Sequence, residues 1–151
     1  MRPKKLGGFI NFRFFHNDKC IGKFNAVKYM RYECDPGEHL FWAQSENRDF
    51  LTAELEAGKI YLVEAMPMMG GIKAGVKLAP VDLSNPPKEK LLEQIDKLIR
   101  KKAPETFSEE ELNEINDNLK TYIQDSLDRY DKSKDKKGKY SHLAPHMVYS
   151  R

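Results

Sequence analysis

Hydrophobic spacing along the chain follows two rules that meet near residue 83. Up to about residue 82 apolar and polar positions alternate at period two, the spacing of strands; from Ser84 the apolar positions recur at helical spacing. In the first region Ile10, Phe12 and Phe14 alternate with Phe9, Asn11, Arg13 and Phe15, so a strand is expected over 9–15 with the first set facing a core. Asn17, Asp18 and Lys19 turn the chain out of it. Cys20, Ile21 and Gly22 read as a short strand and 27–34 as a longer one rich in β-formers, among them Val27, Tyr29 and Tyr32. Asp35-Pro36-Gly37-Glu38 fits a type II turn, because Pro36 fixes its own φ and Gly37 can take a positive one. The strand after it, 39–44, carries Leu40, Phe41 and Trp42 in succession, which asks for cover on both faces.

Residues 45–49 form the next turn, and over 50–56 Leu51, Ala53 and Leu55 alternate with Thr52, Glu54 and Glu56. A hairpin at 56–59 leads into a strand at 59–66, a methionine and glycine loop at 67–71, and a last strand with Ile72, Ala74, Val76 and Leu78 inward. About seven short strands between turn signals point to a mainly β unit, an antiparallel β-sandwich of Ig- or prealbumin-like kind or a partly open barrel, over residues 1–82.

Beyond it, Asn85-Pro86-Pro87 suits a helix start, and Leu91, Leu92, Ile95, Leu98 and Ile99 make one apolar stripe that Ala103-Pro104 ends. Ser108 with Glu111 is a capping box for a second helix, whose stripe is Leu112, Ile115, Leu119, Tyr122, Ile123, Leu127 and Tyr130. The pair reads as a C-terminal α-helical hairpin over 83–131, followed by a basic, flexible tail over 132–151. Two such stripes need cover from the β unit, from a second copy in a homodimer, or from a protein partner.

Charge adds little to this picture. The net +3 of the 151 residues is made of +2 over 1–82 (12 basic, 10 acidic), −3 over 83–130 (8 and 11) and +4 over 131–151 (6 and 2). The basic tail offers too few phosphate contacts for strong nucleic-acid binding by itself, and no nucleic-acid partner is expected. No run approaches the ~20 apolar residues of a membrane span, and residues 1–8 lead into no signal-peptide core, so membrane association is expected only through an N-terminal signal. Cys20 and Cys34 lack a CxxC spacing; they could face each other across a hairpin, and ordinary thiols are favoured over a bond.

Candidate chemistry is sparse. Pro145 separates His142 from His146 and denies them a helical zinc-binding spacing. Glu38 and His39 are adjacent strand residues and point to opposite faces, so an acid–base pair is not expected; a hydrolase using Glu38, His39 or His16 is the remote alternative. No phosphate loop or GxSxG elbow is present. Tyr29, Tyr32, Phe41, Trp42 and Tyr61 could make an exposed platform, although alternation puts most of them inside. The expectation is therefore no enzyme, no cofactor and no metal site. Candidate partner-binding residues are Met66, Met68 and Met69, methionine being adaptable at binding surfaces, and Leu112, Ile115, Leu119 and Tyr122 of the second helix.

Arg2-Pro3-Lys4, Ile21-Gly22, Tyr29, Pro36-Gly37-Glu38-His39, Ser45-Glu46 and Glu56-Ala57-Gly58-Lys59-Ile60-Tyr61 form a succession that resembles a widespread bacterial family of uncharacterised β-domain proteins, many of them small envelope lipoproteins. The Pro-Gly-x-His step is also similar to PEGA-type surface domains. The resemblance covers residues 2–82 and implies a non-catalytic accessory or protein-binding module of the cell envelope. Members of that family usually carry an export signal and one more strand ahead of the Arg-Pro step, whereas this chain starts at that step, and the resemblance supplies no active residues. A helix-mediated assembly or scaffold protein is the other reading.

Overall fold

In the computed structural model, residues 12–24, 28–70, 73–84 and 89–149 are described. They form strands β1 (Phe12–His16), β2 (Lys19–Phe24), β3 (Gly37–Gln44), β4 (Arg48–Leu55), β5 (Val63–Gly70) and β6 (Lys73–Pro80), helices α1 (Glu89–Lys101), α2 (Glu109–Asn118) and α3 (Lys120–Ser133), and strand β7 (Ser141–Leu143). The described chain is thus a mixed, sheet-rich structure with seven strands in two sheets and three helices. The larger sheet has the order β2-β1-β3-β4-β7, and β5-β6 is a separate antiparallel hairpin.

Strand alternation sends side chains of the larger sheet to two covered faces. On one, Phe12, Phe14, Phe24, Ala43, Leu51, Ala53 and Leu143 share a core with Ala65, Val76 and Leu78 of the β5-β6 hairpin. On the other, Phe15, Cys20, Trp42 and Phe50 are covered by Leu112, Ile115, Leu119, Tyr122 and Ile123 of α2 and α3. This explains Leu40-Phe41-Trp42: both faces at β3 are indeed covered. It also corrects the outward placement of Phe15, which is fully buried under helices encoded a hundred residues later. Helix α1 packs elsewhere, Ile95 and Leu91 meeting Leu62, Val81 and Tyr149.

The hairpin is held to the larger sheet by side chains that imitate a strand. Asn47, in the β3–β4 turn, donates to the Val76 carbonyl (3.0 Å) and accepts from the Val76 amide (2.7 Å), and Asp49 accepts from the Leu78 amide (2.7 Å). Because both backbone groups of Val76 are engaged there, its pairing with Pro67 exchanges no backbone bonds. Proline can therefore sit inside β5 without emptying a rung of the ladder.

Several expectations change. Residues 67–71 are not a loop up to Gly70: β5 runs through Pro67, Met68 and Met69 and pairs with β6, not with β4. The outer neighbour of β4 is β7, which runs parallel to it, so the sheet is not purely antiparallel. The stretch expected as a strand over 27–34 makes only an isolated bridge, Met30 to Glu105, within its described part. Cys20 and Cys34 are free thiols. The second helix begins at Ser108, whose hydroxyl accepts from the Glu111 amide (3.1 Å), and breaks at Leu119 into α2 and α3. Contacts cross both composition boundaries: Leu143 of the basic end is 2% exposed in the core, and the Tyr149 amide donates to the Ile60 carbonyl (2.7 Å). Residues 9–11 and Ile72 lie outside the described residues.

Gly37 has φ +116°, the positive region expected of it, but it is the first residue of β3, paired with Leu55, and only a bend at Pro36 stands where a type II turn was expected. Gly22 is favoured for another reason: a Cβ there would lie 2.5 Å from the Met30 sulfur and 2.9 Å from the Phe107 ring, which pack on that face of β2.

Candidate functional site

A bonded group of chemically capable side chains lies at one end of β1 and β3. His16 closes β1 and stands opposite Phe41 in the register, and His39, two residues from Phe41, shares its face. Residues 28–36 cross from β2 to β3 beside them. This connection is anchored at Tyr29, whose carbonyl accepts from the Glu105 amide (2.8 Å) and whose hydroxyl donates to the Lys102 carbonyl (2.9 Å). Farther along, two bonds to imidazoles hold it: Tyr32 hydroxyl to His16 Nδ1 at 2.6 Å, and His39 Nε2 to the Asp35 carbonyl at 2.6 Å. The imidazoles are joined to each other, His16 Nε2 to His39 Nδ1, at 2.9 Å.

The direction of every link follows from what each atom can do. A carbonyl only accepts, so His39 carries its hydrogen on Nε2; its bare Nδ1 then accepts from His16 Nε2–H, and His16 Nδ1 accepts from the Tyr32 hydroxyl. The result is one unbroken neutral chain, from the Tyr32 hydroxyl to the Asp35 carbonyl. Aromatic contacts brace it. The His16 ring stacks on Phe41 (4.8 Å, 22°), and Tyr32 meets Phe41 edge to face (6.2 Å, 86°).

Burial, and then the neighbouring His39, holds the His16 imidazole below its ordinary value, while Asp18 works the other way. Burial pushes the Tyr32 phenol and the Cys34 thiol up, with Cys34 and Asp35 respectively adding to it. Neither oxygen nor sulfur is thereby primed as a nucleophile. The group can store and pass a proton and can fix an aromatic ring in place.

The aromatic set is divided: Tyr29 and Trp42 are buried, Phe41 and Tyr61 are half-buried, and Tyr32 is 44% exposed. Met66 is half-buried in β5, Met68 is 50% exposed, and Met69 pairs with Ala74 while its side chain lies outside the described part. Leu112, Ile115, Leu119 and Tyr122 lie half-buried over Trp42 and Phe50, so of the three coverings open to this stripe it has the β unit. Tyr122 also accepts from Arg48 Nε (2.7 Å), whose guanidinium lies over its ring and reaches Asp125. Glu38 is exposed; His142 bonds Thr52 (2.7 Å) and His146 lies 3.7 Å from Asp82.

His16 and His39 are brought together by pairing of non-consecutive strands, and reading each histidine by its sequence neighbours could not find that. The usable signal was register: once β1 is placed beside β3, His16 faces Phe41 and the imidazoles share a face. Among the described residues no three His, Cys, Asp or Glu side chains converge to hold a metal, and no helix is long and apolar enough to cross a membrane. No family model matches the chain, and no curated protein and no solved structure matches it.

Proposed function

We propose that the chain is a non-catalytic, sheet-rich module that binds a protein partner, with Tyr32 as the anchor of the recognition surface. The observation that carries this is an exposed aromatic ring held rigid: Tyr32 is 44% exposed, yet its hydroxyl is bonded to His16 and its ring braced on Phe41. Interfaces draw most of their energy from a few aromatic or arginine anchors, and an anchor already ordered loses little entropy on binding. Arg31 beside it is exposed as well. The resemblance of residues 2–82 to envelope β-domain proteins and PEGA-type domains adds the bacterial cell envelope as the place of action. Nothing in this reading calls for a cofactor or a nucleic acid.

The finer architecture, an Ig- or prealbumin-like sandwich with a helical hairpin, is part of the same proposal. The core shared by the two sheets supports it, and the parallel β4–β7 pair and the break at Leu119 weigh against it. Helix-mediated assembly has less support, since the α2–α3 stripe covers Trp42 within the chain. A hydrolase is disfavoured because the hydroxyl that His16 faces is the Tyr32 phenol, whose ionisation burial opposes.

A photoreactive amino acid in place of Arg31 tests the proposal in cells. A discrete adduct is expected there and not from the same group at Glu114, and the further change Tyr32→Ala should remove it, as loss of an anchor costs about 2 kcal/mol or more. Absence of an adduct from position 31, or an adduct indifferent to Tyr32→Ala, would overturn the reading.

A further inference from the structure

The bonds that fix Tyr32 also limit how many protons the site can hold. With both imidazoles neutral, each link has one donor and one acceptor. One added proton fits: His16 then carries hydrogen on both nitrogens, still donates to His39, and donates to the Tyr32 oxygen, whose own hydrogen turns away. A second does not fit. His16 Nε2 and His39 Nδ1 would both carry hydrogen across 2.9 Å, and two cations would stand with ring centroids 4.9 Å apart.

Asp18 and Lys19 beside β1 and β2, and Tyr32, Cys34 and Asp35 on the crossing segment, are the other titratable groups around the pair. Asp18 favours charge on His16, and Lys19 opposes it. Burial is the largest influence there and favours the neutral ring. Because the folded state thus lowers the affinity of His16 for its proton, the unfolded or released state takes that proton at higher pH. Stability linked to this ring is present above about pH 6.5 and is lost as pH falls through the lower, folded value.

We infer that residues 31–36 form a strap latched by the His16–His39 pair, closed when the pair holds no proton or one, and released when both imidazoles are protonated. Tyr32 and Asp35 each hang on one imidazole, so driving the rings apart pulls at both attachments at once. Release frees the ring of Tyr32 and uncovers the edge of Phe41. The latch needs no partner, and it stands or falls separately from the recognition role given to Tyr32.

Backbone relaxation measured on the whole ¹⁵N-labelled chain decides the matter. Between about pH 7.5 and pH 5, the range in which imidazoles titrate, order parameters of the amides of 31–35 are expected to fall from about 0.85 to below 0.6. The indole N–H of Trp42, which donates to the Asn17 carbonyl (2.8 Å), should keep its signal, marking the opening as local. His39→Gln retains a donor for Asp35 and an acceptor for His16 but leaves one titrating ring, so its strap should stay ordered at pH 5; His16→Gln is the mirror case with the same expectation. A wild-type strap equally rigid at both pH values, simultaneous loss of the Trp42 signal, or loosening in both glutamine variants to the wild-type extent would overturn the inference.

Discussion

Trp42→Ala is expected to destabilise the chain by roughly 3–5 kcal/mol, the range for emptying a large aromatic site in a core. Trp42 is 1% exposed on the helix-covered face of β3; its ring stacks on Phe15 (3.8 Å, 8°), lies 5.6 Å from Phe50 and 6.4 Å from Tyr122. It is therefore where the central sheet and α3 meet. The indole also supplies the donor for the Asn17 carbonyl, and alanine would leave that acceptor without it. With total stabilities of about 5–15 kcal/mol, such a loss leaves a domain marginal. Denaturant unfolding followed by far-ultraviolet circular dichroism reads the effect without using the lost fluorophore. A change below about 0.5 kcal/mol, typical of exposed sites, would mean that the helices do not rest on this ring.

The second large effect is expected at Asn47, whose side chain replaces a missing strand for Val76. Asn47→Ala leaves an amide and a carbonyl of β6 without these partners, each costing about 1–3 kcal/mol where burial keeps water away. The two amide atoms act separately. Asn47→Asp keeps an acceptor for the Val76 N–H but sets a carboxylate oxygen against the Val76 carbonyl, so a loss is expected there although the amide keeps its partner. Hydrogen exchange should locate both effects in β6, with β3 and β4 little changed, because Asp49 still holds Leu78 and the larger sheet does not depend on the hairpin for its own rungs. A stability unchanged by Asn47→Ala, or protection lost evenly over both sheets, would contradict the strand-mimic role.

The parts of the fold legible in the sequence were those fixed by local chemistry. Gly37 took its positive φ, the β3–β4 hairpin fell between the two periodic runs, and Ser108 capped α2 as its spacing to Glu111 implied. What could not be read locally depended on distant chain. In the described part of 27–34 strand propensity did not prevail, because the connection is tied to 102–105 and to two imidazoles instead of to a neighbouring strand. Pro67 and the methionines around it looked like a loop because the unusual partner of Val76, a side chain in another turn, is invisible in the sequence of the hairpin itself. Ser141–Leu143 is too short to show a period against its lysine-rich surroundings, yet it closes the edge of β4. The candidate site was hidden for the same reason: His16 and His39 are 23 residues apart and meet only when β1 and β3 are neighbours.

Tyr32 is held as donor by a one-directional chain of imidazoles, and the tautomers of those rings test this most directly. Two-bond ¹H–¹⁵N correlation spectra at about pH 8, above the ordinary imidazole range, are expected to show His16 and His39 each fixed as the Nε2–H tautomer, with the Nδ1 of His16 accepting from Tyr32. An Nδ1–H tautomer at either ring, or free averaging between the two forms, would contradict it.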